Sequence, residues 1–221
     1  MHDVTLYFDA ISPYSWLALM EAEGFAQQHQ VAWRVRPVVY AKLLDANGLV
    51  GPAESPAKRR YTFEDVFRLS AVRGLAFKGP PAHPFRSLEA LRTVWLFRDA
   101  PNALELARTV VDGAWGRGLD LTDVGVLSEL VSEAGCDARD LAQRLQAPET
   151  KAGLAACTQE ALDARAFGVP TFVHEGEVFW GHDRLPLLAQ RLAGTLPPVP
   201  RVVGKILDRP RAADRKRAPG R

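Results

Sequence analysis

The sequence predicts an α/β fold in which a β-α-β unit near the start and a β-β-α unit near the end bracket a long all-helical block. Three observations predict it: β-rich runs that stop at turn residues, a Ser-Pro corner between the first strand and a helix, and helical patterning with no strand in between. Val4 to Phe8 is rich in β-branched and aromatic residues and is closed by Ala10-Ile11-Ser12-Pro13, which gives strand one. Ser12 is a good N-cap and Pro13 suits a first helical position. Trp16, Leu17, Met20 and Phe25 then approximate an apolar stripe running to about His29. Val31, Trp33 and Val35 alternate with Arg34 and Arg36, so strand two spans Val31 to Val39.

Residues 40 to 60 read as a Gly/Pro-punctuated loop. Helical patterns follow at Phe63–Val72, Ser87–Phe97, Ala103–Trp115, Val124–Ala134, Ala138–Leu145 and Glu149–Ala166, with breaks at Gly74, Pro80-Pro81, Pro101, Gly116-Arg117-Gly118, Gly135 and Pro148. Strands return at Thr171–His174 and Val178–Trp180 across the turn-prone Glu175-Gly176, and a last helix runs from Asp183 to about Leu192. This order is that of a thioredoxin-like fold interrupted by an all-α helical insertion domain. Its parts are expected at 1–40 and 167–195 for the thioredoxin-like domain, 41–166 for the insertion, and 196–221 for a basic, disordered tail.

Composition bounds the function. Hydrophobic residues make up 47% of 221, ample for a packed core. The net charge of +2 conceals eight Lys or Arg against two Asp in residues 201–221, which leaves about −4 over residues 1–200. A mildly acidic body carries no nucleic-acid footprint. The opening Met1-His2-Asp3-Val4 has no cationic or apolar leader and no long apolar run follows, so neither export nor membrane contact is expected. Cys136 and Cys157 have no Cys or His at metal-ligand spacing, so no metal site is expected and a reduced, cytoplasmic setting suits them. Walker A, G-x-G-x-x-G and G-x-S-x-G motifs are absent.

The chemistry-bearing residues lie at the two ends. Ser12-Pro13-Tyr14-Ser15 stands at the strand-to-helix corner where a thioredoxin-like protein carries Cys-x-x-Cys, and Gly168-Val169-Pro170-Thr171 reads as that fold's cis-proline loop. With serine at both cysteine positions, thiol chemistry requires sulfur from a ligand, which points to glutathione. Ser12 at a helix N-terminus can donate to a bound thiolate that the helix dipole also favours; the alternative is a plain helix cap. Val169 beside Pro170 can offer its backbone to a peptide, the alternative being an ordinary trans proline opening strand three. Gly181-His182-Asp183-Arg184 can receive a carboxylate on backbone N–H groups and an ammonium on Asp183, which alternatively is an N-cap. Lys58, placed in the loop after strand two, can neutralise a second carboxylate or simply stay solvated.

These segments resemble a known family, the glutathione-dependent 2-hydroxychromene-2-carboxylate isomerases, which are related to kappa-class glutathione transferases and more distantly to DsbA-type oxidoreductases. The similar segments are Tyr7-Phe8-Asp9 through Ser15, Ala114-Trp115-Gly116-Arg117-Gly118, and Phe167 through Phe172 with Phe179 through Leu185, within residues 3 to 195. The resemblance implies that Ser12 activates the glutathione sulfur and that Val169 binds the tripeptide backbone beside Pro170. It assigns the γ-glutamyl end to Trp180, Gly181, His182 and Asp183, and matches Lys58 to a family lysine. Glutathione would act as a cofactor that is not consumed, on a small aromatic substrate, in a homodimer. Two departures bear on the substrate: Leu49 stands where the family has asparagine in a Gly-Asn-x-x-Pro loop, and Arg86 replaces another asparagine near Pro84. Three functions follow in order: a glutathione-dependent isomerase of aromatic degradation, a kappa-like transferase conjugating electrophiles, and a non-catalytic thioredoxin-like module that binds peptides.

Overall fold

The computed structural model describes residues 1–200 and 202–210. Its sheet has four strands, β1 (His2–Phe8), β2 (Val31–Pro37), β3 (Thr171–His174) and β4 (Glu177–Trp180), in the order β2-β1-β3-β4. β1 pairs in parallel with β2, and β3 is antiparallel to both β1 and β4. The register sets Tyr7 opposite Thr171 and Thr171 opposite Trp180. The end of β1, the start of β3 and the end of β4 therefore meet at one end of the sheet, and the loops carrying Ser12, Pro170 and Gly181 come together there.

Helix α1 (Pro13–His29) runs back from the corner, with Ser12 as its N-cap and Gln30 closing it in the left-handed region at φ 55°. Its first half is buried nearly all round, at Ser15, Trp16, Leu17, Ala18 and Leu19. This explains why only a loose stripe was visible in sequence. The helical block comprises α2 (Tyr40–Asn47), α3 (Pro56–Val72), α4 (Leu88–Leu96), α5 (Ala103–Trp115), α6 (Val124–Glu133), α7 (Leu141–Gln146) and α8 (Pro148–Asp163). A 3-10 turn at His182–Arg184 leads into α9 (Leu185–Leu192).

Three expectations need correction. The 40–60 stretch is not a loop, because α2 lies within it and α3 starts at Pro56 rather than Phe63. α2 buries only Leu43, and the first turn and a half of α3 is exposed at Lys58, Arg59, Arg60 and Tyr61, so neither segment displays an apolar period. Lys58 accordingly stands on a helix. Third, the segment read as a disordered tail contains helix α10 (Val202–Leu207); residues 201 and 211–221 lie outside the described residues.

The main core crosses the whole molecule. Val4, Leu6 and Phe8 of β1, Trp16 of α1, Val94 of α4, and Val110 and Trp115 of α5 belong to one buried cluster. Burying a Trp115-sized side chain removes on the order of 200 Å² from water, worth roughly 5 kcal/mol. The opposite face of the sheet carries a smaller cluster of Tyr7, Val38, Leu43, Ala161, Ala166 and Val169. Among the described residues no helix is long and apolar enough to cross a membrane, and no group of His, Cys, Asp or Glu could hold a metal ion.

Candidate active site

Ser12 is 8% exposed and sits at the α1 N-terminus, where extended backbone (φ −92°, ψ 118°) turns into helix. Its hydroxyl oxygen accepts the Ser15 N–H at 3.2 Å and donates to the Val169 carbonyl at 3.5 Å. The first contact is the N-cap the sequence offered as an alternative. The second joins the corner to the Val169–Pro170 segment 157 residues later. At 3.5 Å it is long for an O–H···O bond, so the hydroxyl can be redirected at small cost. The Val169–Pro170 peptide bond is cis. The Val169 N–H has no hydrogen-bond partner among the described residues, whereas the Pro170 carbonyl accepts the Gly181 N–H at 2.9 Å.

The corner itself is held from two sides. Asp9, 2% exposed, accepts the Ile11 N–H at 3.0 Å on one oxygen and the Tyr40 N–H at 2.9 Å on the other. The Ser87 side chain also bonds to it, while burial pushes its carboxyl above the usual range. From the helical block, the Trp115 indole N–H donates to the Ala10 carbonyl at 2.9 Å, and His83 Nε2 lies 3.3 Å from the Ile11 carbonyl. The Ser12 N–H donates to the Asp9 carbonyl at 3.0 Å. Two successive peptide planes, 10–11 and 11–12, are thus bonded at both their N–H and C=O ends.

The Gly181–Arg184 turn is tied to the corner by rings. His182 stacks on Tyr14 with centroids 5.1 Å apart and planes 8° off parallel, and the Tyr14 hydroxyl donates to Asp65 at 2.8 Å. His182 is half-buried by this packing, and burial pushes its imidazole below its ordinary pKa. Gly181 has φ 105°, and a Cβ there would lie 2.4 Å from Asp183 Oδ1, so the carboxylate folds back over the glycine. Asp183 also pairs with Arg184 at 2.8 Å in the open. Trp180 is 51% exposed; its ring leans on Phe167 at 4.8 Å and passes over Gly168, where a Cβ would meet its Nε1 at 2.4 Å.

The contacts therefore gather Ser12, Val169, Pro170, Gly181 and His182, with Trp180 and Asp183 on the adjoining turn. They do not link in Lys58, Leu49 or Arg86. Lys58 is exposed on the first turn of α3, and Leu49 is 46% exposed after α2. The Arg86 guanidinium is engaged by Glu89 (Nε to Oε2 3.0 Å) at the rim of a cavity of about 300 Å³ lined by Pro80, Pro81, Phe85, Leu119 and Leu121. Sequence reasoning passed over His83, and it quoted Asp9 and Trp115 without giving them a task. An acid two residues before a turn N–H is a recognisable Asx pattern and could have flagged Asp9. His83 and Trp115 carry no such signal, since their partners are 72 and 105 residues away.

Both cysteines are free. Burial pushes the Cys157 thiol up to about 12 and raises that of Cys136, so neither yields a thiolate readily. The nucleophile-favouring positive end of α1 has no sulfur of its own.

Comparison with known proteins places this geometry. A family model described as a DSBA-like thioredoxin domain matches residues 3–193. A 2-hydroxychromene-2-carboxylate isomerase of Pseudomonas putida is 28% identical over 190 residues, 84% of this chain and 91% of the relative. Glutathione S-transferase kappa 1 of Rattus norvegicus is 26% identical over 211 residues, covering 87% and 93%. Among solved structures, a 2-hydroxychromene-2-carboxylate isomerase superposes with a TM-score of 0.80 at 23% identity, over 93% of this chain and 98% of that one.

Proposed function

The chain belongs to the DSBA-like thioredoxin domain family, and from that premise we propose that it is a glutathione-dependent isomerase acting on a 2-hydroxychromene-2-carboxylate-like aromatic intermediate. The observation that carries the proposal is the Ser12 hydroxyl, buried at a helix N-terminus and loosely bonded to the Val169 carbonyl beside a Val169 N–H that has no partner among the described residues.

The donor set suits glutathione. Val169 offers one free N–H to a peptide carbonyl, as strand-like recognition requires. The turn at His182–Arg184 offers N–H groups to the γ-glutamyl carboxylate, and Asp183 offers an exposed carboxylate to its ammonium. Trp180 supplies an apolar wall, and Lys58 is left for the glycyl carboxylate. Glutathione held there would supply a nucleophilic sulfur for reversible addition to a conjugated double bond, the chemistry an isomerisation by rotation requires. Ser12 turns its hydroxyl from the Val169 carbonyl toward that sulfur and keeps its own oxygen fixed by the Ser15 N–H. The α1 N-terminus favours the anion, and the hydroxyl donor adds a charge-assisted bond; together these contribute roughly 2–4 kcal/mol to thiol ionisation. The apolar cluster under the corner keeps water from the Ser12 side. Leu49 and Arg86 are the residues through which substrate preference would differ from the family's asparagines.

Calorimetry with reduced glutathione tests the reading: saturable binding to the wild type, weakened little in Ser12→Ala, is expected, and absence of binding to the wild type overturns it. Product analysis with 2-hydroxychromene-2-carboxylate decides the outcome, since an isomerase leaves the glutathione concentration unchanged. Stoichiometric loss of glutathione would favour the second reading, a kappa-like transferase, which the similarity to the rat enzyme and the departure at Leu49 support.

A further inference from the structure

We propose that His83 is a positioning residue for Ser12: it holds the 11–12 peptide plane from the helical block as a neutral imidazole protonated on Nε2, and acid releases that hold. The geometry defines the tautomer. A carbonyl oxygen can only accept, so the ring nitrogen 3.3 Å from the Ile11 oxygen must be the N–H. The other nitrogen, Nδ1, is buried and has no hydrogen-bond partner among the described residues. In the neutral ring Nδ1 is a lone pair, and leaving it unpaired costs less than burying a second N–H without an acceptor. The ring has little room to turn away, being set edge-on to Phe63 at 5.1 Å and to Trp115 at 5.4 Å.

The neighbouring charges do not relieve protonation. Arg59 on α3 donates to the His83 carbonyl at 3.1 Å and opposes a second positive charge. Asp9 at the corner is already taken up by Ile11, Tyr40 and Ser87. Arg86, three residues along the same segment, is bound to Glu89, and Trp115 and Phe63 carry no charge. A proton on Nδ1 leaves a second N–H buried without an acceptor, a cost that the strengthened Nε2 bond to the Ile11 carbonyl opposes; relieving it requires Nδ1 to turn toward water, which takes Nε2 off that carbonyl. Trp115 holds the preceding carbonyl without titrating, so the acid-sensitive part of the corner is the plane that carries Ser12 itself.

The kinetic part of this inference rests on the glutathione reading, while the structural part does not. Nitrogen chemical shifts of the His83 ring in the wild-type protein at pH 7.5 are expected to show Nε2 protonated and Nδ1 bare. The reverse tautomer overturns the proposal whether or not glutathione binds. For the kinetics, His83→Leu and His83→Gln are compared. Leucine removes the donor and is expected to lower kcat/KM about tenfold through kcat, because small displacements at a reacting centre are costly. Glutamine restores an N–H donor that does not titrate, so it should recover most of that loss and make the acid limb of the pH profile shallower, down to the part set by the thiol's own ionisation. A leucine variant with wild-type kcat and acid limb overturns the proposal, as does a folded glutamine variant that keeps the wild-type acid limb. Should the leucine variant fail to fold, the glutamine profile and the ring shifts still decide. Absence of glutathione binding to the wild type would sink the proposed function and leave the tautomer measurement standing.

Discussion

The Ser12 corner and the Trp180–Arg184 turn meet at the same end of the sheet but are held in opposite ways. At the corner, peptide groups 10–12 are bonded to Asp9, His83 and Trp115, and the serine is nearly sealed from water. On the turn, Trp180 is half exposed and Asp183 is paired with its exposed neighbour Arg184, and the segment is tied down by the rings of His182 on Tyr14 and Trp180 on Phe167, the Gly181 N–H to the Pro170 carbonyl and the pairing of Trp180 with Thr171. The difference teaches where rigidity is needed. Under the proposed function, an atom that meets a sulfur anion gains from preorganisation, whereas groups that admit and release a peptide gain from yielding.

Substitutions can break or sharpen that contrast. The largest effect is expected from Ser12→Ala, which removes the donor to the sulfur: kcat should fall ~10²-fold with the KM for glutathione nearly unchanged, read from steady-state kinetics. Asp9→Ala comes next and acts on stability, because it leaves buried N–H groups unpaired. A loss of about 3 kcal/mol is expected, or roughly 6–12 °C in melting temperature by calorimetry. A melting temperature unchanged within error would mean that the corner is not held as described.

Acid should discriminate the two regions more gently. Burial lowers the pKa of both His83 and His182 below 6.5, so the unfolded chain takes up protons that the folded one refuses. Stability is then complete above that value and declines as pH falls through it, visible as a falling melting temperature between pH 7.5 and 5. His83→Gln should shallow the decline. On the exposed turn, Asp183→Ala should weaken glutathione binding only about two- to fivefold and less so at high salt, as titration calorimetry would record. Smallest of all, Leu49→Asn should leave stability within about 0.5 kcal/mol and shift substrate preference toward 2-hydroxychromene-2-carboxylate up to about threefold in competition assays.

The fold was legible wherever local chemistry determines it. The Ser12-Pro13 start of α1 and the β3 and β4 runs on either side of Glu175-Gly176 announce their geometry through a cap, β-rich composition and a turn. α2 and the start of α3 stayed silent because they bury almost nothing, and periodicity is a record of burial. At the site, Ser12, Val169-Pro170 and the Trp180–Asp183 segment, which the fold brings to one end of the sheet, were singled out in the sequence. The ones that hold the corner were not, because a histidine amid prolines and a tryptophan ending α5 acquire meaning only when the chain brings them to residues 10 and 11.

That long reach sets a timetable for synthesis. The corner precedes its long-range partners in the chain: the donors to its carbonyls arrive at residues 83 and 115, and the acceptor for its serine arrives at residue 169. A nascent chain that has reached residue 100 can form β1, α1 and β2 and holds Asp9, Tyr40 and His83, yet it still lacks the Trp115 donor to the Ala10 carbonyl and the Val169 acceptor for Ser12. The full set of contacts on Ser12 is thus completed only after residue 169 has been added.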